Sequence, residues 1–573
     1  VAKVLQNVMM IDLPADQQVE TLIQLFMSGQ YHELEVRLHT LLNHFPDWLI
    51  GWKILSDTYL VQKKDAREVA YRALALNMQD PEEHCYYGLV LKAQNDLHGA
   101  AQAFEQAIRL KPDYVAAINN LGIIRKDLGD VQQGVACFAR ALQLDPSYAS
   151  CFSNLLFCLS QDDTANDETL WDMHRRFAGF YETPGKICWK NHTNLREPER
   201  ILNIGFVSAA FREHSLSNFF EPVLSFLAQS AELRLHAYAA SAIEDGTTVR
   251  LKTHFRSWRT VDRLNDLDLA DIIRQDQIDI LVDLDGHTSG NRLTMFSLKP
   301  APIQASWLGY LATTGLTAMD YYIGDTHLNP PGSLDKQFSE KLIRLPVNAP
   351  FLPEVTAPDV NALPALSNGY ITFACFNRIN KITQSTVRLW SVILRQISTA
   401  KLLLIGDLQS NNHRIIFDWF KEQDIGTDRF IMMPKSSLQD YMALHHRVDI
   451  CLDTMPASGV TTTCHAAWMG VPTLCIAGDR MISRGAAAIM RHLELEDFVV
   501  DNTESCIRQA CYFANALNLL NDTRQQLRPR FKASLLAQPA QSASALESAF
   551  RMIWRRWCTG KQTQSIMISH YLR

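Results

Sequence analysis

The chain has 573 residues, 47% of them hydrophobic and 20% charged. That balance is typical of soluble globular proteins, and the length exceeds one core, so three domains are expected. A net charge of −6, from 55 basic and 61 acidic residues, carries no whole-chain nucleic-acid signature, and no window of about 18 uninterrupted apolar residues marks a membrane span. The twelve cysteines are scattered without a CxxC pair. Several lie in apolar runs (Cys151, Cys158, Cys375, Cys451, Cys475), which reads as reduced, buried thiols in a cytoplasmic protein. The opening residues Val1-Ala2-Lys3-Val4 lack the charged and apolar regions of a signal peptide, and the missing initiator Met suggests a trimmed or fragmentary N-terminus.

The first quarter is repetitive. Gly88, Ala100, Phe104, Ala107 and Pro112 recur as Gly122, Gly134, Phe138, Ala141 and Pro146, each offset by 34 residues. That period, with small residues where two helices touch, marks tetratricopeptide repeats. Trp52-Lys53-Ile54-Leu55 and His44-Phe45-Pro46-Asp47 point to one or two degenerate units upstream. An all-α solenoid of four or five hairpins is expected over 1–163, and such arrays present a groove that holds extended peptide. Connecting helices follow over 164–199, around Leu170–Phe177.

From residue 200 strand-like and helical runs alternate. Strands are expected at Ile201–Ser208, Leu233–Ala239, Ile278–Asp285, Ile303–Leu308 and Tyr321–Gly324, which makes 200–350 an α/β half with a mostly parallel sheet. A proline-rich stretch between Pro346 and Pro364 supplies a linker, placed at 351–366. A second α/β half is assigned to 367–573, with strands at Ile371–Phe376, Lys401–Ile405, Arg429–Met433, Ile450–Leu452 and Thr473–Ile476, and an amphipathic helix at Ser544–Trp557. Two Rossmann-like halves joined by a linker put a cleft at the carboxyl ends of both sheets.

Within the second half, Gly459-Val460-Thr461-Thr462-Thr463-Cys464-His465 follows a strand-like run and opens a helix-like one. A strand, a small-residue loop and a helix in that order make an anion site, because loop amides, the helix N-terminus and three hydroxyls supply donors for a diphosphate without a metal. The alternative is an ordinary βα turn with a threonine N-cap.

Five further segments join that loop: Gly205-Phe206-Val207-Ser208, His214-Ser215-Leu216-Ser217, Gly286-His287-Thr288, Lys299 to Tyr310 (KPAPIQASWLGY), and Phe376-Asn377-Arg378-Ile379-Asn380-Lys381-Ile382-Thr383. Together these motifs closely resemble the O-GlcNAc transferase family, glycosyltransferase family 41. The His-Ser-x-Ser form, Leu366-Ser367-Asn368-Gly369 and the Thr-Thr-Thr-Cys loop are nearer its SPINDLY branch. The resemblance covers the repeats and roughly 200–560. It implies a GT-B fold and metal-independent, inverting transfer of one sugar from a nucleotide donor.

By that resemblance Lys381 reaches the β-phosphate as the cation that meets leaving-group charge. His214, on the loop after the first strand, lies near the reacting centre, where an imidazole could take the acceptor proton or orient the sugar. Asn377, Arg378, Tyr441, Thr461, Thr462, Thr463 and His465 are further donor-binding candidates. His287, Thr313, Thr314 and Gly315 are candidates for the acceptor and sugar side, since small residues allow close backbone approach. Asp283 and Asp285 form the one obvious Asp-x-Asp, but within a strand-like run; they could instead hydrogen-bond a backbone or a sugar hydroxyl. No metal ligand and no cofactor are expected.

Three departures bear on the donor. His465 stands where relatives carry a carboxylate suited to ribose hydroxyls, Val460 where animal enzymes have His, and Tyr441 where related enzymes have a His near the nucleotide. An aromatic at 441 could stack on the base. The expected reaction is therefore transfer of a single sugar onto Ser/Thr of intracellular proteins, with UDP-GlcNAc first, GDP-fucose second, and UDP-glucose onto Asn third. Expected partners are a nucleotide sugar and protein or peptide acceptors held by the repeats, with no nucleic acid or membrane; homo-oligomerisation stays open. The rival from another class is a non-catalytic repeat-containing adaptor, and a small-molecule or lipid-linked glycosyltransferase is a third idea.

Overall fold

A computed structural model describes residues 14–353, 356–406 and 414–568, with the Ser333 side chain left aside. The opening Val1–Val4 segment and two positions of the linker lie outside the described residues. Residues up to Pro146 form one compact unit and those from Ser147 another.

Among its described residues the first unit holds four helical hairpins: Asp16–Met27 with Tyr31–His44, Leu49–Val61 with Arg67–Leu76, Pro81–Ala93 with Leu97–Leu110, and Val115–Asp127 with Val131–Leu144. Asp80, Asp96 and Asp130 cap three of these helices by accepting backbone N–H bonds, which satisfies donors that helix starts leave open. The repeated glycines are required by packing. A Cβ on Gly88 would stand 2.7 Å from the Phe104 ring, and one on Gly122 2.7 Å from Phe138.

The solenoid expected over 1–163 thus ends earlier. Helix Ala149–Ser160 belongs to the second unit because polar bonds tie it there: Ser153 Oγ to His287 Nδ1 at 3.1 Å and the Tyr310 hydroxyl to the Leu156 carbonyl at 3.3 Å. The next helix, Asp167–Gly185, is held by Glu182, which accepts the Thr317 N–H at 2.6 Å.

Two wholly parallel sheets make up the second unit. The first contains β1 (Leu202–Ser208), β2 (Leu233–Ala239), β3 (Ser257–Thr260), β4 (Ile280–Asp283), β5 (Ile303–Trp307), β6 (Tyr321–Asp325) and β7 (Lys341–Leu345). The second contains β8 (Thr372–Cys375), β9 (Lys401–Ile405), β10 (Phe430–Met433), β11 (Ile450–Leu452), β12 (Thr473–Ile476) and β13 (Val499–Val500). A last strand, β14 (Ile566–Met567), returns to β7, giving the order β14-β7-β6-β5-β4-β1-β2-β3 beside β10-β9-β8-β11-β12-β13. Each order reverses once, between β1 and β4 and between β8 and β11. At such switch points adjacent loops leave in opposite directions and open a crevice.

The assignment of 367–573 to one half is corrected by the C-terminal helix. Pro539–Cys558 buries Leu546, Ala549, Phe550, Ile553 and Trp554 in the core of the first sheet, because that stripe covers apolar strand faces that a parallel sheet must bury. The chain therefore crosses back to the first half. Strands β3, β7, β13 and β14 were not expected. β13 and β14 have two residues each, and β3 is partly exposed at an edge.

Candidate active site

The switch point of the second sheet gathers two loops. One leaves β8 and runs through Asn377 to Lys381 on a short turn, Ile379–Lys381; the other leaves β11 and ends at the helix Thr461–Trp468. Side chains lace them together. Lys381 Nζ donates to the Ser458 carbonyl at 2.9 Å, and Asn377 Nδ2 donates to Asp453 at 3.1 Å and to the Thr454 hydroxyl at 2.9 Å. Thr462 Oγ1 donates to Asn377 Oδ1 at 2.5 Å, and Thr383 donates to the Met455 carbonyl at 2.9 Å.

Donors are left over here. Among the described residues Ser458 is the one hydrogen-bond acceptor of the Lys381 ammonium, so two of its three N–H bonds remain available. Burial pushes its pKa down, Asp453 opposes that and Arg378 adds to it. No side chain caps the Thr461–Trp468 helix; its first amides keep their donors and their partial positive charge. This argues against the ordinary threonine N-cap. Gly459 is needed beside them, since a Cβ there would stand 2.6 Å from Asn377 Oδ1 and 2.9 Å from the Thr462 and Thr463 hydroxyls. Thr461 and Thr462 are half-buried, Thr463 is buried, and Arg378 is exposed.

His214 follows β1 in the first half, within electrostatic reach of Arg378. Its Nδ1 accepts the Leu216 N–H at 3.2 Å, so in the neutral ring the proton sits on Nε2. Desolvation, Arg212 and Arg378 all lower its pKa. In this arrangement Nε2 can donate a hydrogen bond, whereas taking up a proton at Nδ1 would first break the bond to Leu216.

The other first-half candidates are placed differently. His287 is 1% exposed, donates from Nε2 to the Thr314 carbonyl at 2.9 Å and accepts from Ser153 at Nδ1. Burial holds its pKa well below the usual histidine range. Thr313 and Thr314 are buried, their hydroxyls donating to Glu340. A Cβ on Gly315 would meet the His174 carbonyl at 2.4 Å. These four residues, expected on the acceptor and sugar side, are therefore interior packing. Their polar groups are met by the protein, and the small residues of this loop admit the protein's own backbone.

Asp283 and Asp285 are likewise committed. Asp283 accepts from the Asp285 and Gly286 amides and from Ser306, and Asp285 accepts from Ser208 Oγ and the Ala209 amide, both at 2.7 Å. Burial raises them to about 6 and about 7.

Tyr441 and His465 line the second half beside the linker. The His465 ring packs edge-on against Phe351 at 5.2 Å and Tyr441 at 5.5 Å, and burial lowers it to about 4, which makes it neutral at physiological pH. Tyr441 also packs against Phe376 and His445, and its buried hydroxyl has no partner among the described residues. Tyr441 is half-buried among those rings.

The sequence reading passed over Asp453, a buried carboxylate at the end of β11 that receives Ser458 Oγ at 2.5 Å and the Gly459 amide at 2.8 Å. It also passed over Asp245, which caps the helix Gly246–Lys252 and pins the Glu213 amide at 2.6 Å, steadying the His214 loop. An acidic residue closing an apolar strand before a Ser-Gly pair is the signal that marks Asp453.

Two parallel sheets with switch-point crevices, joined by a linker and accompanied by a helical-repeat array, define a GT-B-type glycosyltransferase fold with tetratricopeptide repeats. The profile of glycosyl transferase family 41 matches residues 182–357 and 353–546, and that of the tetratricopeptide repeat matches 85–114 and 115–148. The chain belongs to glycosyl transferase family 41, on its SPINDLY side. A protein described as a probable UDP-N-acetylglucosamine–peptide N-acetylglucosaminyltransferase SPINDLY from Petunia hybrida is 32% identical over 417 residues, 71% of this chain and 44% of that relative. The SPINDLY protein of Arabidopsis thaliana is 32% identical over 69% of this chain, and the SEC protein of the same plant 28% over 64%. The chain thus spans less than half the length of these relatives. An O-GlcNAc transferase mutant from Thermobaculum terrenum superposes with a TM-score of 0.82 at 28% identity, over 90% of this chain and 99% of that one.

Proposed function

We propose that the chain transfers a single sugar from a nucleoside diphosphate donor to a side-chain hydroxyl of a protein acceptor. The observation that carries this reading is the pairing of an ammonium with unused donors and an uncapped helix N-terminus at one switch point. Bond cleavage at the anomeric carbon throws negative charge onto the departing diphosphate. Fixed N–H donors and a cation in a partly desolvated crevice stabilise that charge without reorganising.

The reaction is a single inverting displacement. The acceptor hydroxyl attacks the anomeric carbon on the side opposite the diphosphate, the carbon–oxygen bond to the diphosphate breaks, and the hydroxyl proton passes to solvent. His214 donates from Nε2 to the sugar or acceptor oxygen rather than serving as a base. The chemistry is metal-independent: both carboxylates of the Asp-x-Asp are bonded to backbone and serine, and Lys381 with Arg378 supplies positive charge. Excess chelator leaves activity unchanged, and inhibition reversed by one divalent metal would contradict this.

The donor is UDP-GlcNAc, in line with the names of the SPINDLY and SEC relatives; the acceptors are Ser/Thr side chains, and the repeats recruit the proteins that carry them. The test is intact-mass analysis of acceptor proteins incubated with UDP-GlcNAc, GDP-fucose or UDP-glucose. Gain of one N-acetylhexosamine on Ser or Thr supports the reading. A deoxyhexose from GDP-fucose, or a hexose on Asn, would replace the donor and keep the transfer; nucleotide binding without transfer from any donor would favour the adaptor.

A further inference from the structure

The crevice of the second half has two donor sets on separate segments, Lys381 after β8 and the helix Thr461–Trp468 after β11. They act on one diphosphate only if their spacing is fixed, and the bonds that fix it meet at a single side chain. Asp453 Oδ1 receives Asn377 Nδ2 at 3.1 Å and the Gly459 amide at 2.8 Å, while Oδ2 receives Ser458 Oγ at 2.5 Å. Each of these contacts leads on to a donor. Ser458 presents its carbonyl to Lys381 Nζ at 2.9 Å, and Asn377 Oδ1 receives Thr462 Oγ1 at 2.5 Å. Ser458 Oγ also accepts the Ala486 amide at 2.8 Å, which anchors the loop to the helix Gly485–His492.

We propose that Asp453 is the positioning residue of this site: its buried carboxylate, on the same bonded cluster as the Lys381 ammonium, holds that ammonium and the first turn of the Thr461–Trp468 helix in one register. The proposal rests on the reading of this crevice as a diphosphate site. Asp453 itself does not touch the donor; it acts through Ser458, Asn377 and Lys381.

A carboxylate needed only to close a turn would do the same for the loop, so the charge is what separates the two roles. Lys381 is in a position where burial and Arg378 both favour loss of its proton, and Asp453 is the main group opposing them. The remaining titratable groups facing the pair are the Cys375, Cys451, Cys475 and Cys506 thiols. Burial raises all four, which leaves them neutral at physiological pH, so none of them replaces the negative charge of Asp453.

The experiment is competitive acetylation of the lysines of the whole chain with acetic anhydride across pH, read by mass spectrometry, in wild type and Asp453→Asn. No donor is needed for this measurement. Asn keeps the volume and one acceptor but removes the charge. The Lys381 midpoint is expected to fall by on the order of one pH unit, while exposed Lys435 does not move. Asp453→Glu, which restores the charge, brings it back toward wild type. A folded Asp453→Asn with an unmoved Lys381 midpoint overturns the proposal. If Asp453→Asn does not fold, Asp453→Glu decides: with the charge kept, the Lys381 midpoint stays with the wild type, and a midpoint that falls in folded Asp453→Glu overturns the proposal. Titration of UDP and GDP into the same proteins is the separate arm. A shifted Lys381 with no binding of either nucleotide would sink the diphosphate reading and leave the charge role of Asp453 standing.

Discussion

The two switch points of the catalytic unit occupy the same place in two parallel sheets and have opposite chemistry. Around the first switch point and the adjoining loop after β5, polar groups are matched within the protein, His287 with Ser153 and the Thr314 carbonyl, Asp285 with Ser208, Glu340 with Thr313 and Thr314, and His214 Nε2 alone of the named groups is left to donate. Between β8 and β11 an ammonium and a helix start keep donors unused. Burial makes the first set costly to disturb, because each lost partner strands a desolvated polar group. The second set carries that cost in the free protein and recovers it when an anion binds. A topological crevice is an opportunity; whether its polar groups are already paired decides if it binds anything.

The sharpest way to break this contrast is Lys381→Ala. Transfer should fall by about 10²–10³-fold, the magnitude of losing one fixed donor to a developing anion, while the thermal midpoint stays close to wild type. Near-normal turnover would remove the site from the second half.

His287→Ala should do the reverse. It opens a cavity, strands the Thr314 carbonyl and takes one of two partners from Ser153 Oγ, and about 3 kcal/mol of stability should be lost, with UDP affinity per folded molecule unchanged. The pH dependence adds a signature. His287 has a folded pKa well below 6.5, so its contribution is present above the unfolded value and lost as pH falls below it. The stability gap between wild type and His287→Ala should narrow by about 1.4 kcal/mol per pH unit below roughly 6.5. A gap that widens on acidification would show that His287 is protonated in the fold.

Gly459→Ala sharpens the comparison from the open side. Its Cβ would crowd Asn377 Oδ1 and the Thr462 and Thr463 hydroxyls, so nucleotide affinity should drop about tenfold, or ~1.4 kcal/mol, with a smaller change in melting. The smallest effect is expected at Tyr441→Phe, which removes an unpartnered buried hydroxyl. Stability should rise by up to about 1 kcal/mol with donor affinity unchanged; weaker binding would show that this hydroxyl meets the nucleotide.

What could be read from the chain follows what is local. The 34-residue offset of Gly88, Phe104 and Ala107 reports helix contacts made within one repeat, and it located the array. The apolar runs of β1, β5, β9 and β12 are buried on both faces and stood out for that reason. Edge strand β3 and the two-residue β13 and β14 carry no such run, and the run of β7 is broken by Lys341 and Arg344. The return of Pro539–Cys558 to the first sheet depends on contacts with strands hundreds of residues earlier, which no local pattern records.

The site divides in the same way. The threonines after β11 stand out from strand–loop–helix order, and Lys381 after β8 from its place behind a strand together with the family resemblance. The interior roles of His287, Thr313, Thr314 and Gly315 could not, because a polar residue at a strand end looks the same whether its partner is a ligand or, as here, Ser153, Glu340 or the His174 backbone. Asp453 was missed for the converse reason: its importance lies in bonds to two segments, at Asn377 and at Ser458-Gly459, and only one of them is near it in sequence.

The most direct test is calorimetric titration of UDP and GDP into the wild-type chain and into Lys381→Ala. UDP should bind the wild type, and the Lys381→Ala variant should bind it at least about tenfold more weakly, a loss of ~1.4 kcal/mol or more. Binding of UDP that is unaffected by Lys381→Ala, or no binding of either nucleotide, would contradict the assignment of the open switch point as the donor site.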